Sequence, residues 1–186
     1  MILRRKHRRQ RSGLGKYIRD RRGVSAVEFA LILPVMVLIY LGGYEVTQAL
    51  AIDRLVTLTA GTVTNLVSQY TTISASSQMP DILNASVQVL TPYPSSNATV
   101  VVSAITIDAS GKATVGWSQS LNGAARTVGA AVTLPAALDT PNSTVIFGET
   151  TYAYTPLIDF IKLGTLNLYS SVYMLPRAST TINLAQ

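Results

Sequence analysis

Residues 24–43 form an almost unbroken apolar run, and ten of the 22 residues before Gly23 are Lys or Arg. No other feature constrains the chain as strongly. Twenty helical residues at about 1.5 Å each span roughly 30 Å, the thickness of a bilayer's hydrocarbon core. The basic cluster directly before the run, Arg19, Arg21 and Arg22 above all, sets the direction of insertion. By the positive-inside rule the N-terminus is cytoplasmic and everything after the run lies outside. A secretory signal peptide has the same order of charge and apolar residues, but it ends in a small-residue cleavage site. Here the run ends Leu41-Gly-Gly-Tyr-Glu45, which is not such a site, so the expectation is a retained membrane helix.

The rest of the chain has a different character. The net charge of +6 belongs to the tail; from Gly23 onward there are five basic and eight acidic residues, a net of −3. A body of that sign does not bind nucleic acid by electrostatics, so no nucleic-acid partner is expected. Cysteine is absent and the one histidine, His7, sits in the tail. That removes disulfides, thiol nucleophiles, His-based triads and Cys/His metal sites from the main body. No cofactor is expected. With 186 residues the chain has room for one membrane span and one domain of ordinary size.

Two residues are unusual for a plain anchor. Glu28 lies inside the apolar span, and a carboxylate there costs on the order of 2–3 kcal/mol near the membrane centre and less near its edge. Pro34 removes one helix hydrogen bond and invites a kink. Their simplest readings are an edge residue reaching the headgroups and a tolerated transmembrane proline. The order of residues adds more: Arg21-Arg22-Gly23-Val24-Ser-Ala-Val-Glu28-Phe29-Ala-Leu-Ile-Leu-Pro34 closely resembles the start of TadE-like pseudopilins, the TadE, TadF and TadG groups of the tight-adherence (Flp pilus) branch of type IV pilin-like proteins. The resemblance is strong over residues 21 to about 50. The later phrases Leu134 to Ser143, Tyr152 to Pro156 and Tyr173 to Arg177 extend it less specifically.

The resemblance implies a role for each matching position. A prepilin peptidase would cut between Gly23 and Val24, where a residue without a side chain leaves the backbone open to approach. Glu28, beside Phe29, would then meet a new α-ammonium, its own or a neighbour's, and set the register between packed subunits. The implied domains are a basic leader (1–23), a transmembrane helix (24–44) and an extracytoplasmic domain (45–186).

Past the membrane run, Ile52, Leu55, Val56, Thr59, Val63, Leu66, Val67 and Tyr70 recur at helical spacing. Asp53, Thr57, Thr64 and Ser68 fall opposite. The expectation is one long helix running on to about residue 70. Residues 71–83 read as a loop with a short helix opening near Pro80-Asp81. Ser86 to Leu90 alternates like a strand. Thr99–Asp108 and Ala113–Gln119 form a hairpin about the Asp108–Lys112 turn. Further turns fall at Asn122-Gly123 and Asp139–Ser143, with a short extended piece near Val132 to Leu134. Thr144 to Thr155 is a strand with Val145, Phe147 and Thr151 on one face and Ile146, Tyr152 and Tyr154 on the other. A short helix or crossover follows at 156–164, then a last strand from Thr165 to Leu175. The fold class is α+β: a long N-terminal helix, its first half transmembrane and its second half amphipathic, packed on a small antiparallel β-sheet.

Nothing downstream presents competing chemistry. Ala109-Ser-Gly111-Lys112 lacks the first glycine and the strand-to-helix setting of a phosphate loop. The three Asn-x-Ser/Thr sequons read as chance in a Ser/Thr-rich chain. The carboxylates of Asp108, Asp139, Glu149 and Asp159 are isolated, and general acid–base work needs convergence. The tyrosines at 152, 154, 169 and 173 read as sheet-packing residues before they read as a ligand box. The expected function is a minor pilin or pseudopilin, not an enzyme, acting in assembly of a Tad-type pilus, in adhesion and in biofilm formation. Its implied partners are the peptidase, other pilins and the Tad assembly machinery. The alternative is a permanently anchored single-pass scaffold or binding module of the same system.

Overall fold

A computed structural model describes residues 22–156 and 164–185. Helix α1 (Arg22–Ser68) runs unbroken through Pro34. Strand β1 (Thr72–Ser74), helix α2 (Gln78–Val87), strands β2 (Ala98–Ile107), β3 (Ala113–Leu121), β4 (Ser143–Tyr154) and β5 (Leu166–Met174), and the short strand β6 (Asn183–Ala185) follow. The chain divides into two units, Met1–Tyr44 and Glu45–Gln186. The basic tail through Arg21 and the expected helix or crossover at 157–163 lie outside the described residues.

In the first unit α1 is apolar on every side, and each residue from Gly23 to Tyr40 is exposed. A helix that is apolar all round and uncovered by its own protein belongs in lipid or against other helices. Its length and composition fit a single-pass membrane anchor.

In the second unit the sheet runs β3-β2-β4-β5 and is antiparallel throughout. β1 and β6 pair separately as a short parallel ladder. The sheet has two cores because both of its faces carry apolar residues. On one face Ile52, Val56, Val63 and Val67 of α1 and Met79, Ile82, Leu83 and Val87 of α2 pack with Val100, Val102, Ile146, Tyr152 and Tyr154. On the other, Ile105, Ile107, Val115, Val145 and Phe147 are covered by Val132, Leu134 and Leu138 of the 122–142 connection. The expected division of β4 into a Val145/Phe147 face and an Ile146/Tyr152/Tyr154 face is what the structure has.

α1 comes unusually close to the sheet at Gly148. A Cβ there would stand 2.0 Å from Thr64 Oγ1, 3.0 Å from the Ala60 carbonyl oxygen and 3.2 Å from Val63 Cγ1. Only a residue without a side chain admits the helix backbone at that depth. Two polar bonds hold the start of this half of the helix. The Glu45 carboxylate accepts from the Tyr154 hydroxyl, and Tyr93 donates to Gln48 Oε1 at 2.9 Å.

Three expectations are corrected. Thr64 and Ser68 are fully buried in the sheet-facing side of α1, not on the opposite side. Each hydroxyl bonds a carbonyl of its own helix, Thr64 to Ala60 at 2.6 Å and Ser68 to Asn65 at 2.8 Å. The polar atom is thereby satisfied, and the small remainder fits where bulkier residues would not. Tyr70, just past the helix, is exposed. The strand expected at Ser86 to Leu90 is the end of α2 followed by a 3₁₀ turn, Gln88–Leu90. Met79, Ile82, Leu83, Ser86 and Val87 are buried at helical spacing, which outweighs a two-residue alternation. Strands β1 and β6 were not expected, being three residues each.

The hairpin of β2 and β3 is as expected, with Gly111 at φ 82° in its turn. Its ladder shifts by one residue between Ala104 and Ile105. Gly116 is the extra residue, and a Cβ on it would stand 2.8 Å from Thr106 Oγ1. Asn122 and Asn142 take left-handed backbone at φ 56° and 59° in the two other expected turns, a conformation Asn tolerates better than most residues. The extended piece expected near Val132 begins one residue earlier, at Ala131, which bridges Thr114.

Candidate functional site

The Gly23–Phe29 motif opens α1. Arg22 is its first residue, and Arg19 and Arg21 lie outside the described residues. Gly23 stands in the first turn with open space where a Cβ would be. Val24 is 56% exposed and Phe29 60%, and Glu28 is exposed beside them. Helical geometry places Val24 and Glu28, four residues apart, on one face about one turn apart.

The second arrangement lies on the sheet face away from α1, and sequence reasoning missed it. Arg126 grips Glu149 with two bonds, Nε to Oε2 at 2.6 Å and Nη2 to Oε1 at 2.8 Å. Tyr169 of β5 donates to Glu149 Oε1 at 2.9 Å. The guanidinium lies 5.1 Å from the centre of the Phe147 ring, and that ring stacks on Tyr173 at 4.3 Å. The bond to Glu149 holds the Arg126 guanidinium above its usual pKa. Tyr169 and Tyr173 are raised mainly by burial, with the Glu149 charge acting in the same direction. Arg126 and Glu149 are 23 residues apart, and only the register of β4 and β5 brings Tyr169 to them. No local pattern carries that signal.

The Glu149 carboxylate of this group already accepts three hydrogen bonds. Asp108 is committed as well. Its Oδ1 accepts from the Ser110 hydroxyl and from the backbone N–H groups of Ser110 and Lys112, and the Ser110 hydroxyl leads in lowering its pKa. It closes the hairpin turn and does not converge with Glu149. Asp159 lies outside the described residues. Tyr152 and Tyr154 are core residues, and Tyr169 alone of the four tyrosines is well exposed, at 54%.

Neither the curated proteins nor the solved structures compared with the chain give a match. One family model does: that of the TadE-like proteins, over residues 23–63. The match begins at Gly23, lies wholly within α1, and ends among the residues that α1 buries against the sheet. It does not reach the later phrases that also resemble the family. TadE-like proteins are components of the Tad pilus system and not a family of enzymes. Over residues 23–63 the chain is thus similar to the TadE-like proteins, the family that the Gly23–Phe29 motif resembles.

Proposed function

We propose that the chain is a minor pilin or pseudopilin of a Tad-type pilus, cut after Gly23 by a prepilin peptidase and assembled through its N-terminal helix. The supporting observation is the first half of α1. It is apolar on all sides, uncovered, and opens with an accessible glycine and a carboxylate one turn beyond the cut. In this reading residues 1–23 are a cytoplasmic leader that Arg19, Arg21 and Arg22 orient. Residues 24–44 cross the inner membrane, and residues 45–186 form the external domain. Assembly moves the apolar helix from lipid into contact with other pilin helices. Glu28 is the one carboxylate among residues 24–44, and the α-ammonium released by cleavage pairs with it. Leaving a carboxylate unpaired there costs several kcal/mol, whereas a paired one fixes axial register. The domain takes no part in turnover; it supplies surfaces for neighbouring subunits and for adhesion.

The test is expression with and without the cognate peptidase, followed by N-terminal sequencing and fractionation. A terminus at Val24, with protein in sheared surface material, is the expected result. An intact Met1 with all of the protein in the membrane would favour the permanently anchored scaffold instead. Glu28→Ala should still be cut but should lose incorporation about tenfold or more, the equivalent of roughly 1.4 kcal/mol or above in subunit docking. Equal incorporation of the variant would remove the pairing role.

A further inference from the structure

The end of α1 and one face of α2 leave a groove between them. Gln78, Asp81, Ile82 and Ala85 line it from α2, and Leu66 and Tyr70 line it from the last turn of α1 and the residues just past it. The α2 residues follow i, i+3, i+4, i+7 spacing, which puts all four on a single helix face. The floor is apolar: Ile82 is buried, and Leu66 packs half-buried against the core. The rim is polar and fixed. Gln78 Oε1 accepts from the Ser74 backbone N–H at 2.9 Å, and the Tyr70 backbone N–H donates to the Val67 carbonyl at 3.2 Å.

The groove is negative for two independent reasons. Asp81 is exposed, and among the described residues its carboxylate has no hydrogen-bond or ionic partner. α1 also ends here, and its last turn holds no basic residue. A helix C-terminus carries partial negative charge that a basic side chain would ordinarily offset. Arg177 reaches the same end of α1 through its backbone, whose N–H donates to the Ser68 carbonyl at 2.9 Å. Its guanidinium, however, lies 3.7 Å from Met174 Sδ, and Arg177 does not line the groove. Asp81 stands in the first turn of α2, where a carboxylate suits that helix's positive end. That accounts for an acid at this position. It does not account for an unpaired acid beside a tyrosine, over an apolar floor, at the uncompensated end of another helix.

We propose that this groove binds a lysine or arginine side chain presented by another polypeptide. The apolar floor takes the aliphatic stem, Asp81 pairs with the charged head, and the Tyr70 ring offers a cation–π face. The cavity measures about 270 Å³ and is open to solvent. Small-molecule sites run to about 300–1,000 Å³ and enclose most of their ligand, so this one suits a single long side chain. An acidic residue would meet Asp81 as a like charge, and a neutral one would leave it unpaired. The groove lies within residues 66–85, so the proposal does not depend on whether Gly23 is cut.

Methyl NMR on the full chain in detergent micelles tests it, with Leu66, Ile82 and Ala85 reporting from the groove. The probes are capped lysine and capped arginine amides, and capped norleucine amide is the neutral control. The expected result is saturable shifts at those three residues with a Kd on the order of 1–10 mM. Binding should weaken about threefold or more with norleucine, with Asp81→Asn or with raised salt. Asp81→Glu should bind as the parent does, which separates loss of charge from damage to α2. No saturable shift in the groove, equal binding of norleucine, or full binding by Asp81→Asn would each overturn the proposal. Groove shifts that grow with protein concentration alone and vanish in Asp81→Asn would overturn the outside partner in favour of a second copy of the chain.

Discussion

Gly148→Ala tests the packing of α1 on the sheet most directly. Two effects oppose each other. Replacing glycine restricts the unfolded chain and would by itself stabilise by about 0.4–1 kcal/mol. Against that, the new methyl would stand 2.0 Å from Thr64 Oγ1 and 3.0 Å from the Ala60 carbonyl oxygen. Thr64 can rotate only by giving up its 2.6 Å bond to that carbonyl in a fully buried setting, and the carbonyl itself moves only with the helix. Overpacking of this kind costs about 1–3 kcal/mol, and loss of the buried bond adds about 1 kcal/mol. Destabilisation therefore wins, by about 1–3 kcal/mol net, or a fall in Tm of about 3–10 °C for a domain of this size. Trp117 is the only tryptophan and reports unfolding by fluorescence in micelles. Thr64→Ala removes the closest clash, so the double variant should be more stable than the sum of the single effects by about 1 kcal/mol. A Gly148→Ala protein that melts with the parent or above it, or strict additivity with Thr64→Ala, would refute the close-approach argument.

Two further outcomes follow from the domain. Tyr152 and Tyr173 are each raised above the ordinary 10.0, chiefly by burial. A raised pKa means that folding favours the neutral phenol. This stabilisation is complete below the unfolded value and is lost as pH climbs through the folded ones. Tm should hold to about pH 9–10 and decline above it, with tyrosinate absorbance rising in step; a flat Tm to about pH 12 would contradict the burial of these rings. Trp117→Phe removes the 2.7 Å bond from the indole N–H to the Ile182 carbonyl. That should cost about 1–3 kcal/mol for the stranded carbonyl and should speed exchange in β6 before the rest of the sheet.

The parts of the fold legible in the sequence are those whose periodicity is long or whose turns are chemically marked. The apolar run needs no partner to be recognised, and the β2–β3 hairpin carries its own turn at Asp108–Lys112. The α2 region failed as a strand because Val87 and Val89 alternate over too short a window to compete with the five buried positions from Met79 to Val87. β1 and β6 were illegible for another reason: a three-residue strand exists only because a distant segment pairs with it. Arg126, Glu149 and Tyr169 likewise become a group only through strand register, which no spacing along the chain encodes.

The misplaced threonine is the most instructive of these cases. A hydropathy stripe puts Thr64 outside because a hydroxyl resists burial, and in general it does. Within a helix, however, the hydroxyl can return to the carbonyl four residues back, and α1 uses that bond at Thr57, Thr59, Thr62 and Thr64. Once satisfied there, the residue presents a small side chain to its neighbours. Opposite Thr64 the sheet supplies the one residue that needs no room, Gly148. The two choices are a single feature seen from two strands of the argument. A small residue facing a small residue brings backbone to backbone, and that proximity lets a helix rich in Thr and Val, poor helix formers on their own, be held by what it packs against. Residues Gly23 to Tyr40 of α1 are exposed and show no such packing among the described residues. In the proposed assembly their support comes from lipid first and from other helices afterwards, and this is why the single carboxylate at Glu28 carries so much of the functional reading.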